Sequence, residues 1–116
     1  MEGFTSIIVP ARNEAADFEA RLRALTSQLD ERFGDRYELI VVDDGSTNDT
    51  CQTLRNMRRT HPRFVLEEHE QSVGFKAAIQ SGIRMSTGDQ VIVFRSGLRR
   101  AFIAQTLSIL SNLFAS

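Results

Sequence analysis

Alternation is what most constrains the fold of this chain. Four short β-rich runs, Thr5–Val9, Glu38–Val42, Arg63–Glu67 and Gln90–Phe94, are separated by helical patterns. The first, second and fourth runs are nearly continuous in apolar residues, as in strands covered on both faces. Between the first two, Phe18, Leu22, Leu25 and Leu29 recur at spacings of four, three and four, which predicts an amphipathic helix. Asn13 reads as its N-cap, with Glu14 and Asp17 in the first turn. A second helix is expected after Ser46, with Asp49 completing a short variant of the capping box and Cys51, Leu54 and Met57 on one face. A third is expected from about Gly74 to Ser86, with Gly88 as its C′ residue. The order β-α-β-α-β-α-β, followed by a last helix, predicts an α/β fold. Its centre is a Rossmann-like parallel sheet of about four strands with flanking helices and right-handed crossovers.

In such a sheet, ligands sit outside the carboxyl ends of the strands, at the point where the strand order reverses. Function is therefore sought in three loops. They read Pro10-Ala11-Arg12-Asn13-Glu14, Asp43-Asp44-Gly45-Ser46 and Arg95-Ser96-Gly97.

Composition bounds the reading. At 116 residues the chain is one domain or part of one. Its single cysteine, Cys51, excludes an internal disulfide and a multi-cysteine zinc site. A net charge of −1 gives no case for a nucleic-acid partner. The distribution of charge says more. All 15 acidic residues lie at or before Asp89, whereas residues 95–116 carry Arg95, Arg99 and Arg100 and no acid. This break divides the chain into an α/β domain at 1–94 and a divergent apolar tail at 95–116. No secretory signal is visible. The 16 residues from Ala101 to Ser116 include Gln105, Thr106, Ser108, Ser111 and Asn112. A spanning helix needs about 20 mostly apolar residues, so the tail is a poor candidate. A cytoplasmic location, at most peripheral to a membrane, is expected.

Neither G-x-G-x-x-G nor G-x-x-x-x-G-K-[ST] occurs, so dinucleotide and P-loop readings lose their main support. Taken alone, Glu14 reads as a favourable helix-dipole charge. Asp43 and Asp44 repel, so one is expected at the ligand crevice and one elsewhere. An ionised carboxylate accepts hydrogen bonds only, so it could read the N–H edge of a base or hold a ribose hydroxyl. Equally, the pair fits a turn with a Ser46 cap and solvated acids. Gly74 leaves room for a backbone or ligand to approach. Lys76, the only lysine, could meet a phosphate, or is an ordinary solvated residue. His61 and His69 have no partner at ligand spacing and read as structural or surface residues.

Together these segments resemble one family. Ser6-Ile7-Ile8-Val9-Pro10-Ala11-Arg12-Asn13-Glu14 resembles the opening S-I-V-I-P-x-Y-N-E of family 2 inverting glycosyltransferases. Glu38 to Thr50 resembles that family's E-I-I-V-V-D-D-G-S-T-D-x-T. Val73-Gly74 through Gly82, then Thr87-Gly88-Asp89, resembles its N-x-G-x-x-x-A-x-x-x-G helix and A-x-G-D turn. The resemblance covers about residues 4–94, and by pattern it is nearest the polyprenyl-phosphate sugar synthases. It implies the nucleotide-binding half of a GT-A fold, a UDP- or GDP-sugar donor and a polyprenyl-phosphate acceptor. By position, Pro10, Arg12 and Glu14 would line the base and ribose pocket. Val42 and Asp44 would complete it, with Asp44 facing the base. Arg12 replaces the usual aromatic residue, and a guanidinium can still stack on a base.

Two departures qualify the resemblance. The family places a D-x-D metal motif straight after strand four, and Mg²⁺ or Mn²⁺ is its expected cofactor. Here Arg95 and Gly97 stand where both aspartates should be. Loss of a metal that bridges the donor diphosphate costs roughly a hundredfold to a thousandfold in rate. Arg95 could meet the diphosphate itself. The family's acceptor half and catalytic base have no counterpart here, and no catalytic residue is assigned. The expected function is thus a nucleotide-sugar-binding domain, truncated or rearranged, weakly active or inactive alone. The alternatives are a non-catalytic binding module and a degenerate remnant. The tail reads as a helix with Ile103, Leu107, Leu110 and Phe114 in one stripe. It would pack on the domain or pair with a second copy as a homodimer. A response-regulator reading fails, because its aspartates belong after strands one and three.

Overall fold

The computed structural model describes residues 3–96 and 102–105. Five strands and three helices follow in order: β1 (Thr5–Ala11), α1 (Phe18–Phe33), β2 (Tyr37–Asp44), α2 (Thr50–Thr60), β3 (Phe64–His69), α3 (Phe75–Met85), β4 (Gln90–Ser96) and β5 (Phe102–Gln105). They form one sheet in the order β3-β2-β1-β4-β5. The first four strands are parallel, which is the α/β architecture expected. β5 adds an antiparallel edge, with Ser96 opposite Phe102 and Val93 opposite Gln105.

Strand periodicity divides the core into two layers. Ile7, Val9, Leu39 and Val41 point to one face and pack with Leu22, Leu25 and Leu29 of α1 and Leu54 and Met57 of α2. Ile8, Ile40, Val42, Val91 and Val93 point to the other, against Ala78 and Ile79 of α3. Burial on both faces is why β1 and β2 read as continuous apolar runs.

The same alternation sends Asp43 toward α2 and Asp44 toward α3. Both are buried, at 2% and 4% exposure, so the solvated-turn alternative for this pair does not hold.

The amino end of the sheet is tied by hydrogen bonds across three elements. Glu38 Oε2 accepts from the Ser6 hydroxyl (2.6 Å), the Thr87 N–H (2.8 Å) and the Thr87 hydroxyl (3.1 Å). The Phe4 N–H donates to Asp89 (3.0 Å) and the Gly88 N–H to the Ser6 hydroxyl (2.9 Å). At Gly88 a Cβ would lie 2.8 Å from Ser6 N. Its role is thus close approach to β1. α3 ends at Met85 with Ser86 as its cap, so Gly88 is not the C′ residue.

Other expectations for helix ends are also corrected. α1 begins at Phe18, not at Asn13, because Asn13 adopts φ +46° and its side chain bonds elsewhere. α2 begins at Thr50, and Asp49 makes no side-chain cap. The Ser46 hydroxyl donates to Asp43 instead of capping a helix. The helix expected through the tail is replaced at Phe102–Gln105 by strand β5. A short apolar run fits either periodicity, and here pairing with β4 decides it. The rest of that helix, and the homodimer built on it, lie outside the described residues.

Candidate functional site

β1 and β4 pair from Thr5–Gln90 to Ile8–Val93, and then continue to Ala11 and Ser96. β2 and β3 lie on one side of β1 and β4 on the other, so the strand order reverses here. At this point lies a cleft of about 280 Å³. Its walls come from the end of β1 (Pro10, Ala11, Arg12, Glu14), the end of β2 (Asp44), the β3–α3 segment (Ser72, Gly74, Phe75, Ala78) and the end of β4 (Arg95).

Asp44 organises the wall on the α3 side. Its Oδ1 accepts from the Val73 N–H (2.8 Å) and from His69 Nδ1 (2.9 Å). Its Oδ2 accepts from the Ser72 hydroxyl (2.9 Å) and the Gly74 N–H (3.0 Å). A carboxylate has about four acceptor positions, and these four donors fill them. Burial acts to raise the Asp44 pKa, but the bonds from His69, Val73, Ser72 and Gly74 outweigh it and hold the value at about 2. With Nδ1 donating to Asp44, Nε2 of His69 is hydrogen-bonded to the Ser81 hydroxyl (2.9 Å). An Asp44–His69–Ser81 chain therefore links β2, β3 and α3. Gly45 sits beneath the same segment at φ +71°, and a Cβ there would lie 2.7 Å from Gln71 C.

The β1 side is held by a second lock. The Asn13 N–H donates to the Ser46 hydroxyl (3.0 Å), and Asn13 Oδ1 accepts the Thr47 N–H (2.7 Å). Asn tolerates the left-handed region better than most residues, which suits it to this turn. The Glu14 N–H donates to the Thr50 hydroxyl (3.0 Å). The Glu14 carboxylate turns back to accept from the Arg12 N–H (3.2 Å) and lies 3.5 Å from the Arg21 guanidinium.

Arg95 differs from these engaged groups. Strand alternation aims it to the α3 face, where its guanidinium lies 5.7 Å from the centre of the Phe75 ring. Its Nε is buried and has no hydrogen-bond partner among the described residues. An unsatisfied buried donor costs about 1–3 kcal/mol, so the cleft offers an acceptor-hungry cation.

Of the residues singled out in the sequence, Pro10, Arg12, Glu14, Asp44 and Arg95 converge on the cleft. Val42 is fully buried in the core under α3 and is not in the lining. Lys76 is exposed on the first turn of α3, also outside the lining. Ser72, Phe75 and Ser81 were not picked out from the sequence, which made Asn13 a helix N-cap and His69 a structural or surface residue. Only Asn13 carried a local signal, as a residue tolerant of positive φ.

On the opposite face, Asp43, Cys51 and Glu68 lie close enough to share an ion. Glu68 is already paired with Arg55 (2.6 Å) and accepts the Cys51 thiol (3.0 Å). Burial, with help from Glu68, pushes the Cys51 thiol up to about 11.

A divalent cation does not fit the cleft as built by the described residues. Asp44 has no acceptor position left, Glu14 faces Arg21, and β4 contributes the cation Arg95.

The sequence matches the family model Glycosyl transferase family 2 over residues 6–95. An undecaprenyl-phosphate 4-deoxy-4-formamido-L-arabinose transferase of Pseudomonas syringae is 36% identical over 100 residues, covering 83% of this chain and 28% of that protein. A dolichyl-phosphate beta-glucosyltransferase of Trichomonas vaginalis is 30% identical over 96 residues, covering 79% of this chain and 28% of that protein. Among solved structures, the mannosyltransferase PcManGT from Pyrobaculum calidifontis, in complex with GDP-Man and Mn²⁺, is similar with a TM-score of 0.73 at 30% identity. That likeness covers 82% of this chain and 28% of the other. This chain therefore spans less than a third of the length of these relatives.

Proposed function

This chain belongs to glycosyl transferase family 2, and from that premise we propose that its cleft holds the nucleoside diphosphate end of a sugar donor. One observation carries the reading: the cleft sits at the switch point between β1 and β4, where α/β sheets of this kind take their ligands. Its volume of about 280 Å³ lies near the lower end for small-molecule sites, and suits a nucleotide better than a whole sugar nucleotide. Pro10, Arg12 and Glu14 form the base and ribose side. Asp44 serves the site through the β3–α3 segment it holds, since its own acceptor positions are full. Arg95 marks the phosphate side.

The polyprenyl-phosphate acceptors in the relatives' names suggest the reaction of the protein as a whole: glycosyl transfer from the nucleotide sugar to a lipid phosphate. Such an acceptor would bring the protein to a membrane surface. Among the described residues, no helix is long and apolar enough to cross a membrane. The described residues contribute donor binding, and we assign them no catalytic base. The isolated chain is thus proposed to bind donor with little or no transfer.

Calorimetric titration with GDP, UDP, ADP and the free nucleosides tests the reading. GDP heads the series because the mannosyltransferase neighbour carries GDP-Man. GDP or UDP should bind with a Kd below about 1 mM, and tighter than its nucleoside. Equal, weaker-than-millimolar binding of all of them would overturn it.

A further inference from the structure

We propose that Arg95, rather than a divalent cation, receives the diphosphate in this cleft, so that nucleoside diphosphates bind without metal. The proposal rests on the nucleotide reading above and specifies how the ligand's charge is met. A divalent cation needs free oxygen ligands. Among the described residues the cleft has two carboxylates, and neither is free. Asp44 accepts from four donors, and Glu14 turns to the Arg12 N–H and the Arg21 guanidinium. Residues 90–116 carry no acid.

The start of α3 is not the anion site either. Asp44 already accepts the Val73 and Gly74 N–H groups there, and it places a negative charge at that helix end.

What remains is Arg95. Phe75 lies against its guanidinium, which limits where the group can go. Phe75 itself is 48% exposed and lines the cleft, so the guanidinium is held at the open side of the core, not inside it. Its buried Nε has no acceptor among the described residues. A planar guanidinium whose Nε is unmet among the described residues can match two phosphate oxygens bidentately. Arg12, exposed on the opposite wall, adds a second positive charge to the same cleft.

The test uses inorganic pyrophosphate, GDP and UDP as probes. Each is titrated calorimetrically with Mn²⁺ and again with EDTA. The full chain is used, together with Arg95→Met and Arg95→Lys. Met keeps an apolar stem on Phe75, and Lys keeps the charge without the fork. Thermal unfolding of each variant reports whether it is folded. The expected result is the same affinity with and without Mn²⁺, a roughly ten- to hundredfold loss in Arg95→Met and a smaller loss in Arg95→Lys. Binding that requires Mn²⁺ would overturn the proposal while leaving the nucleotide reading intact. A folded Arg95→Met that binds as wild type would do the same. Pyrophosphate binding as tightly as GDP and UDP in EDTA would support Arg95 and overturn the nucleotide reading. If none of the three binds under either condition, both fall.

Discussion

Asp44 is the residue on which the site turns. Its ordinary pKa of 3.8 falls to about 2 in the folded protein, since its four donors together outweigh the effect of burial. The folded form therefore holds fewer protons than the unfolded form between those values. Stability from this group is complete above about pH 4 and is lost as the pH falls through 2, a contribution of roughly 2 kcal/mol. Asp44→Asn tests the same point at neutral pH. An amide presents two donors to groups that are themselves donors, so at least one buried N–H or hydroxyl loses its acceptor. Urea denaturation should show a loss of about 2–4 kcal/mol, and the acid limb of the stability profile between pH 4 and 2 should flatten. A loss below about 1 kcal/mol would mean that the four bonds are not a unit. Cys51, on the other face of β2, makes a second prediction. Burial and the neighbouring Glu68 raise its pKa to about 11, so the reactive thiolate is scarce at neutral pH. Alkylation by iodoacetamide should be slow at pH 8 and rise toward pH 11. Glu68→Gln should shift that rise to lower pH, and an unchanged profile would show that burial alone sets the value.

At the scale of elements, the segment between β3 and α3 is seated on Gly45. Two glycines with positive φ separate backbone strain from close contact. Gly34, at φ +64°, has nothing within 4 Å of a would-be Cβ, whereas Gly45, at φ +71°, would drive a Cβ into the backbone of Gln71 and Ser72. Gly34→Ala should cost only about 1 kcal/mol of strain and leave nucleotide affinity unchanged. Gly45→Ala should cost about 2–4 kcal/mol and weaken nucleotide binding, because the wall held by Asp44 must shift. Equal costs for the two would remove close contact from the explanation. The contrast also shows how much the sequence revealed. The four parallel strands and three helices were legible, because burial on both faces writes itself as apolar runs and a spacing of about four. Each strand nevertheless runs two residues further than its apolar run, to Ala11, Asp44, His69 and Ser96. Those extra residues include Pro10, Ala11, Asp44 and Arg95 of the cleft wall, so a pattern that counts apolar runs stops short of the site. Ser81, and the link of His69 to Asp44, stayed hidden for a related reason. Their meaning lies in a contact with Asp44 from other elements, which no local spacing records. The strand at Phe102–Gln105 was missed because four apolar-rich residues satisfy a helical stripe as readily as an edge of a sheet.

For the whole molecule, the two ends of the sheet have different duties. Glu38, Ser6, Thr87, Gly88, Phe4 and Asp89 tie the amino end together, and the cleft opens at the carboxyl end. The two ends are bridged by rigid parallel strands, so a change at one should reach the other only through global stability. Glu38→Gln tests this separation. It removes the charge from an acceptor of three hydrogen bonds and should cost about 1–2 kcal/mol. It should leave the Kd for GDP or UDP within twofold of the wild type, roughly the scatter of independent sites. Ligand at about a hundred times its Kd should add about 2.7 kcal/mol to either protein. For a chain of this size that is a rise in Tm of about 10 °C. Hydrogen exchange in the bound state should slow in the segments after β1 and β3, and remain unchanged around Thr87 and Gly88. A Glu38→Gln variant with a weakened Kd, or ligand protection spread evenly over both ends, would show that scaffold and site are coupled. The sheet would then be a transmitting element and not a passive support.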